Sequence, residues 1–225
     1  MARPRKEASV TGRHVDRVRQ LVLKYNLPSF CSPEGSLAPV RLILEGLTGT
    51  GKTQTLAAMK RLGLLPPVVV SEEETLGEVM DEIATDPTDV RHLLRRLTAV
   101  HAQLPTTPSP GFLLERFHPS YFALLPVWSY YDALDAELAT MDVSTALLTI
   151  DPRELRDRSL CRREHDGADW QGFAARFGSE DKALDALRAS QDRRFDALAR
   201  SRLKSRIIDT GGMEWERYAR SLAEG

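Results

Sequence analysis

Long apolar runs are missing from this chain. None approaches the ~20 residues that a membrane span requires, so no spanning segment is expected. Cysteine is scarce: Cys31 and Cys161 are the only two in 225 residues. Two thiols without metal-ligand spacing exclude a disulfide scaffold and point to a reduced, cytoplasmic setting. A surplus of charge of either sign is missing as well. Lys and Arg number 31 against 32 Asp and Glu, for a formal net charge of −1. That balance argues against a surface built to hold nucleic acid. The five histidines (His14, His92, His101, His118 and His165) show no ligand spacing, so no structural metal is expected. Residues 1–13 are basic but no apolar segment follows, which does not read as a secretory leader. No internal repeats or low-complexity tracts stand out.

What is present is an alternation. Short apolar runs at 40–45, 68–70, 111–115, 144–150 and 205–210 read as five buried strands. Helical segments lie between them. One follows the first strand, in "QTLAAMKRLGL". A second begins in "TLGEVMDEIA", breaks at "DPTD" and restarts with Leu93, Leu94, Leu97, Val100 and Leu104 on one face. A third covers 120–140, with a kink expected at Pro126. In "DPRE", Asp151 suits an N-cap and Glu154 completes a capping box. Further helices are expected at about 180–203 and in "MEWERYARSLA". Strands alternating with helices predict an α/β fold, a five-stranded parallel sheet flanked by helices. Ahead of it, residues 9–25 carry Val15, Val18, Leu21, Val22 and Tyr25 at helical spacing, and a Pro- and Ser-rich loop follows. The expected organisation is an N-terminal helix and loop (1–38), then one domain (39–225) whose lid covers about 156–179.

The chemistry is concentrated at 46–53, "GLTGTGKT", between the first strand and a helix. The pattern G-x-x-x-x-G-K-[ST] is met by Gly46, Gly51, Lys52 and Thr53. Glycines let the backbone curl so that successive N–H groups point at phosphate oxygens. Gly46, Thr48, Gly49, Thr50, Gly51, Lys52, Thr53 and Gln54 are the candidate nucleotide-binding residues. Lys52 would reach the β/γ-phosphates and the Thr53 hydroxyl would ligate Mg²⁺, so ATP and Mg are the expected cofactors. A GTP switch is not indicated. "DTGG" at Asp209–Gly212 follows the last strand, and no N-K-x-D occurs. At the end of the third strand Glu115 can hold Mg²⁺ or accept a hydroxyl proton, and Arg116 can grip a phosphate. Arg153, Arg156, Arg158, Arg162 and Arg163 form a basic run after the fourth strand. Arg158 and Arg162 share a helical face and are the candidates for steadying charge on the transferring group. His118 beside Pro119 reads as a helix-start residue rather than an acid or base.

In this order the motifs resemble the thymidylate kinase-like branch of the P-loop nucleoside monophosphate kinases. "LILEGLTGTGKT" is similar to that family's strand and phosphate loop. "SEEETLGEVMDEI" resembles its second-strand stretch, "LLERFHPSYFAL" its D-R-[YF]-x-x-S-x-x-A segment, and "LLTIDPRELRDRSLCRRE" its proline-led helix and arginine-bearing lid. The resemblance covers about 39–222 and implies a P-loop NTPase fold with a mobile lid and phosphoryl transfer from ATP. The acceptor side departs from the pattern. Thr48 stands where the family has an Asp that touches the acceptor sugar, Glu72 and Glu73 where it has Arg-Glu, and Glu115 where it has Asp. Glu72, Glu73 and Glu74 either line the acceptor site or form a solvated helix start. The expected function is an ATP/Mg-dependent kinase acting on a small-molecule acceptor through a hydroxyl or a phosphate. The alternatives are a regulatory or assembly ATPase that binds a protein partner, and a polynucleotide 5′-hydroxyl kinase. A homodimer is compatible with the sequence.

Overall fold

A computed structural model describes residues 39–77, 90–105, 111–160 and 177–224. The expected N-terminal helix and loop (1–38) and most of the expected lid, 161–176, lie outside the described residues. So do Arg162, Arg163 and the break at 86–89.

In chain order the described elements begin with β1 (Arg41–Gly46), α1 (Lys52–Arg61) and β2 (Val68–Val70). Next come α2 (Val90–His101), β3 (Phe112–Glu115), α3 (His118–Leu124) and α4 (Asp132–Thr140). The last are β4 (Ser144–Thr149), α5 (Glu180–Arg200), β5 (Lys204–Asp209) and α6 (Trp215–Ala223). The strands form one sheet in the order β2-β3-β1-β4-β5. Every neighbouring pair is parallel, with Leu44 opposite Glu115 and Gly46 opposite Leu148. The five-stranded parallel sheet read from the sequence is therefore the architecture found.

Period-two alternation along β1 separates two apolar layers. Leu42 and Leu44 pack with Ala58 and Met59 of α1 and with Ala219 and Leu222 of α6. Ile43 points the other way, into a layer with Leu93 and Leu97 of α2, Tyr121 and Phe122 of α3, and Ala197 of α5. A smaller cluster joins Leu47 of the loop after β1 to Leu155, Leu160, Ala183 and Leu187. That cluster seats the turn Arg156–Leu160 against the loop. The carboxyl ends of all the strands thus open on one edge, where ligands of such sheets bind.

Two local expectations change. The segment 120–140 is broken rather than kinked. Pro126 has no N–H and disfavours a helical residue before it. Leu125 is extended (φ −127°, ψ 93°), a single 3₁₀ turn (Trp128–Tyr130) follows, and α4 starts afresh. The helix expected to begin in "TLGEVMDEIA" lies mostly outside the described residues, and its first three residues fall in a π-type turn, Glu73–Gly77. The capping box forms there instead of at 151–154. Ser71 N–H donates to Glu74 Oε2 (2.9 Å) and Glu74 N–H to Ser71 Oγ (3.3 Å). At Asp151 the carboxylate accepts Arg153 N–H (2.8 Å) and binds its guanidinium, while Glu154 turns to Arg158 at 3.4 Å.

Candidate active site at the carboxyl edge of the sheet

The loop leaving β1 curls because its glycines adopt positive φ, 87° at Gly49 and 84° at Gly51. Neither site has room for a side chain. A Cβ on Gly49 would lie 2.4 Å from the Arg158 carbonyl oxygen, and one on Gly51 would lie 2.2 Å from the Trp215 ring. The Thr50 hydroxyl is buried and donates to the Leu47 carbonyl (2.8 Å), closing the loop on itself. The side chains of Thr53 and Gln54, one residue further into α1, are exposed. No side chain caps α1, and no acid sits in its first turn. Its N-terminus therefore keeps the partial positive charge of the helix dipole.

Lys52 folds back over this loop. Its Nζ donates to the carbonyls of Gly46 (3.1 Å) and Leu47 (3.3 Å) and lies 3.5 Å from Glu72. Burial, helped by nearby Arg116, lowers its pKa to about 8. Glu72 also meets Arg116 Nη1 at 3.1 Å. Burial opposes ionisation of Glu72, yet Arg116 and Lys52 together hold its carboxyl below the usual range. Glu115 lies alongside, within electrostatic reach of Glu72 and Lys52. Burial pushes its carboxyl above the usual range, and Lys52 offsets part of the rise. The fold thus brings Lys52, Glu115 and Arg116 together, with Glu72 among them. Arg116 takes a left-handed backbone (φ 58°), a cost for a non-glycine residue, while its N–H stays bonded to Leu44 O at 2.9 Å.

The contact that secures this bend was not foreseen. Glu45, fully buried at the end of β1, accepts Phe117 N–H (2.8 Å), Ser120 N–H (3.2 Å) and the Ser120 hydroxyl (2.7 Å). Arg194 of α5 completes the group, with Nε 3.3 Å from Glu45 and Nη2 donating to Ser120 Oγ at 3.0 Å. Burial lowers the Arg194 pKa to about 10, and Glu45 opposes that fall. The available signal was an acid ending an apolar strand, on the face opposite Leu44. His118 is likewise buried, 3.1 Å from Asp135 Oδ1 and edge-on to Phe117. It holds α3 to α4, in keeping with its reading as a helix-start residue.

On the other side of the loop, Ser159 Oγ donates to the Thr48 carbonyl at 2.6 Å. The Arg158 guanidinium donates to the Thr210 carbonyl (2.9 Å) and hydroxyl (3.3 Å), after β5. Asp209 is taken up in that turn, accepting Gly211 N–H at 2.9 Å. Arg156 pairs with Glu180 and Asp181 at the start of α5, and Arg153 is spent on Asp151. Of the basic run that lies within the described residues, Arg158 is the member set against the loop. Glu74 is the capping residue described above, so the three acids after β2 do not act as one wall.

No protein-family model matches the chain, and no curated protein matches it. Solved structures do. A shikimate kinase from Bacteroides thetaiotaomicron is 19% identical, with a TM-score of 0.52 over 82% of this chain and 94% of that one. A gluconokinase from Sinorhizobium meliloti is 14% identical, with a TM-score of 0.52 over 84% and 93%. The thymidylate kinase from Candida albicans is 15% identical, with a TM-score of 0.52 over 84% and 91%. At such identities the likeness is one of fold, and the chain carries the fold of the P-loop kinases.

Proposed function

We propose that the protein transfers a phosphoryl group from ATP to a hydroxyl of a small-molecule acceptor. The observation that carries the reading is the cluster of Lys52, Glu72, Glu115 and Arg116 beside the uncapped start of α1. Such transfer needs positioning and charge stabilisation more than covalent chemistry from the protein. The loop amides and Lys52 hold the donor phosphates, and Ser159 steadies the far side of the loop through the Thr48 carbonyl. Among the described residues no helix is long and apolar enough to cross a membrane, and a diffusible acceptor suits that.

The donor set suits magnesium. Thr53 supplies an exposed hydroxyl and Glu115 a carboxylate, which leaves the other positions to phosphate oxygens and water, as Mg²⁺ prefers. Bound there, the ion would neutralise charge on the phosphate chain. The alternative role of Glu115, with the ion held elsewhere, is to take the acceptor's proton.

The acceptor side favours a hydroxyl over a second phosphate. Arg116 is already engaged by a carboxylate, and a nucleoside monophosphate would bring its own anion against Glu72. The kinship with shikimate and gluconate kinases in fold is compatible with this, whereas the thymidylate branch would require a phosphate subsite. The deciding experiment offers nucleosides, polyhydroxy acids, amino alcohols, nucleoside monophosphates and oligonucleotide 5′ ends, and identifies the phosphorylated product. A phosphorylated hydroxyl metabolite is the expected result. Efficient phosphorylation of thymidylate would overturn the acceptor reading. ATP hydrolysis stimulated only by a protein would overturn transfer itself.

A further inference from the structure

The turn after β2 places a carboxylate where a ligand's charge is to be held. Glu72 Oε1 lies 3.1 Å from Arg116 Nη1 and Oε2 lies 3.5 Å from Lys52 Nζ. One side chain of the protein thus bridges the loop lysine and the strand-end arginine. Its backbone is secured independently of that bridge. The Thr75 hydroxyl reaches the Glu72 carbonyl (3.2 Å) and the Glu115 carbonyl (2.8 Å), and the Ser71–Glu74 box fixes the turn on both sides. The side chain is 40% exposed, so it can rotate away while the turn stays folded.

We infer that Glu72 is a built-in competitor for phosphate, a clasp that engages Lys52 and Arg116 in the free protein and that an incoming phosphate chain displaces. Two anions cannot share Lys52 at close range without mutual repulsion. Any ligand that places a phosphate on Lys52 therefore binds against the loss of the Glu72 contact. A ligand that stops short of Lys52 does not. The clasp raises the threshold for occupancy, so lone phosphate and pyrophosphate are held off while a nucleotide with many further contacts still enters. Once displaced, the carboxylate is free to turn toward the acceptor. This rests on the reading that the loop holds the donor's phosphates.

The test measures dissociation constants of pyrophosphate, of a non-hydrolysable ATP analogue with magnesium, and of adenosine, for the parent protein, Glu72→Gln and Glu72→Ala. Both variants should bind pyrophosphate and the analogue about tenfold more tightly or better, the worth of one charge-assisted contact. Adenosine binding should not change. Unchanged or weaker affinity in the variants, with the parent still binding the analogue, overturns the clasp and leaves the loop reading intact. Failure of the parent and both variants to bind analogue or pyrophosphate overturns both.

Discussion

Two acid–arginine pairs lie at the same edge of the sheet, and they differ in burial rather than in chemistry. Glu45 and Arg194 are closed off, their side chains 0% and 5% exposed, and each carboxylate oxygen is taken up by α3 or α5. Glu72 and Arg116 form the open pair, with Glu72 40% exposed and Arg116 9%. A charge pair out of water must be fully hydrogen-bonded, because removing one partner strands the other. In the second pair water reaches the Glu72 carboxylate although Arg116 is buried, so the acid has an alternative partner that Glu45 lacks. The first therefore fixes geometry and the second is available to a ligand. They are connected, since Phe117 N–H on Glu45 follows directly on Arg116, whose left-handed backbone aims the second pair.

The comparison can be broken most strongly at the closed pair. Glu45→Ala leaves Arg194 buried and unpaired and should cost about 3–5 kcal/mol. Denaturant unfolding would measure it, and a cost below about 1 kcal/mol, the range of an exposed pair, would show that burial does not separate the two.

At the open side, Lys52→Ala should leave the fold intact and lower turnover by about 10²–10³-fold, the scale of one lost transition-state donor. Near-normal turnover would sink the phosphate-loop assignment. A non-hydrolysable ATP analogue with magnesium at about 100 times its Kd should stabilise the parent protein by about 2.7 kcal/mol. That corresponds to a rise of about 5–10 °C in melting temperature, and calorimetry would read it. Analogue affinity should also fall as pH rises through about 8, because Lys52 is charged below that value and neutral above it. Lys52→Arg should keep its charge and flatten the profile; a profile unmoved by that change would assign the titration elsewhere. The smallest effect sharpens the contrast: Glu72→Gln, which keeps an amide oxygen facing buried Arg116, should cost less unfolding stability than Glu45→Ala.

How much of this was legible in the sequence follows from distance along the chain. The five strands show as short apolar runs, and the loop is contiguous, so both could be read directly. The Glu45–Arg194 pair joins residues 149 positions apart, and no local pattern announces it. Arg116 was identifiable as a cation at a strand end, but not its engagement by Glu72, which depends on how the turn after β2 folds. The two S/D-x-x-E stretches looked alike. Neighbouring arginines decided between them: the Arg153 and Arg158 guanidinium groups engage the Asp151 and Glu154 carboxylates, whereas Arg96 donates to the Glu74 carbonyl and the Glu74 carboxylate stays on Ser71. At 120–140 the apolar spacing suggested one helix, and the geometry imposed by Pro126 on Leu125 prevailed.

The indole of Trp215 rests against Gly51, at the turn that starts α1, and it is only partly buried. Indole emission depends on its polar surroundings, so this ring is an optical probe already installed at the glycine-rich loop. The chain has three tryptophans. Replacing Trp128 and Trp170 with phenylalanine would leave a protein whose remaining fluorescence reports on the loop alone, with no dye attached and nothing added to the ligand.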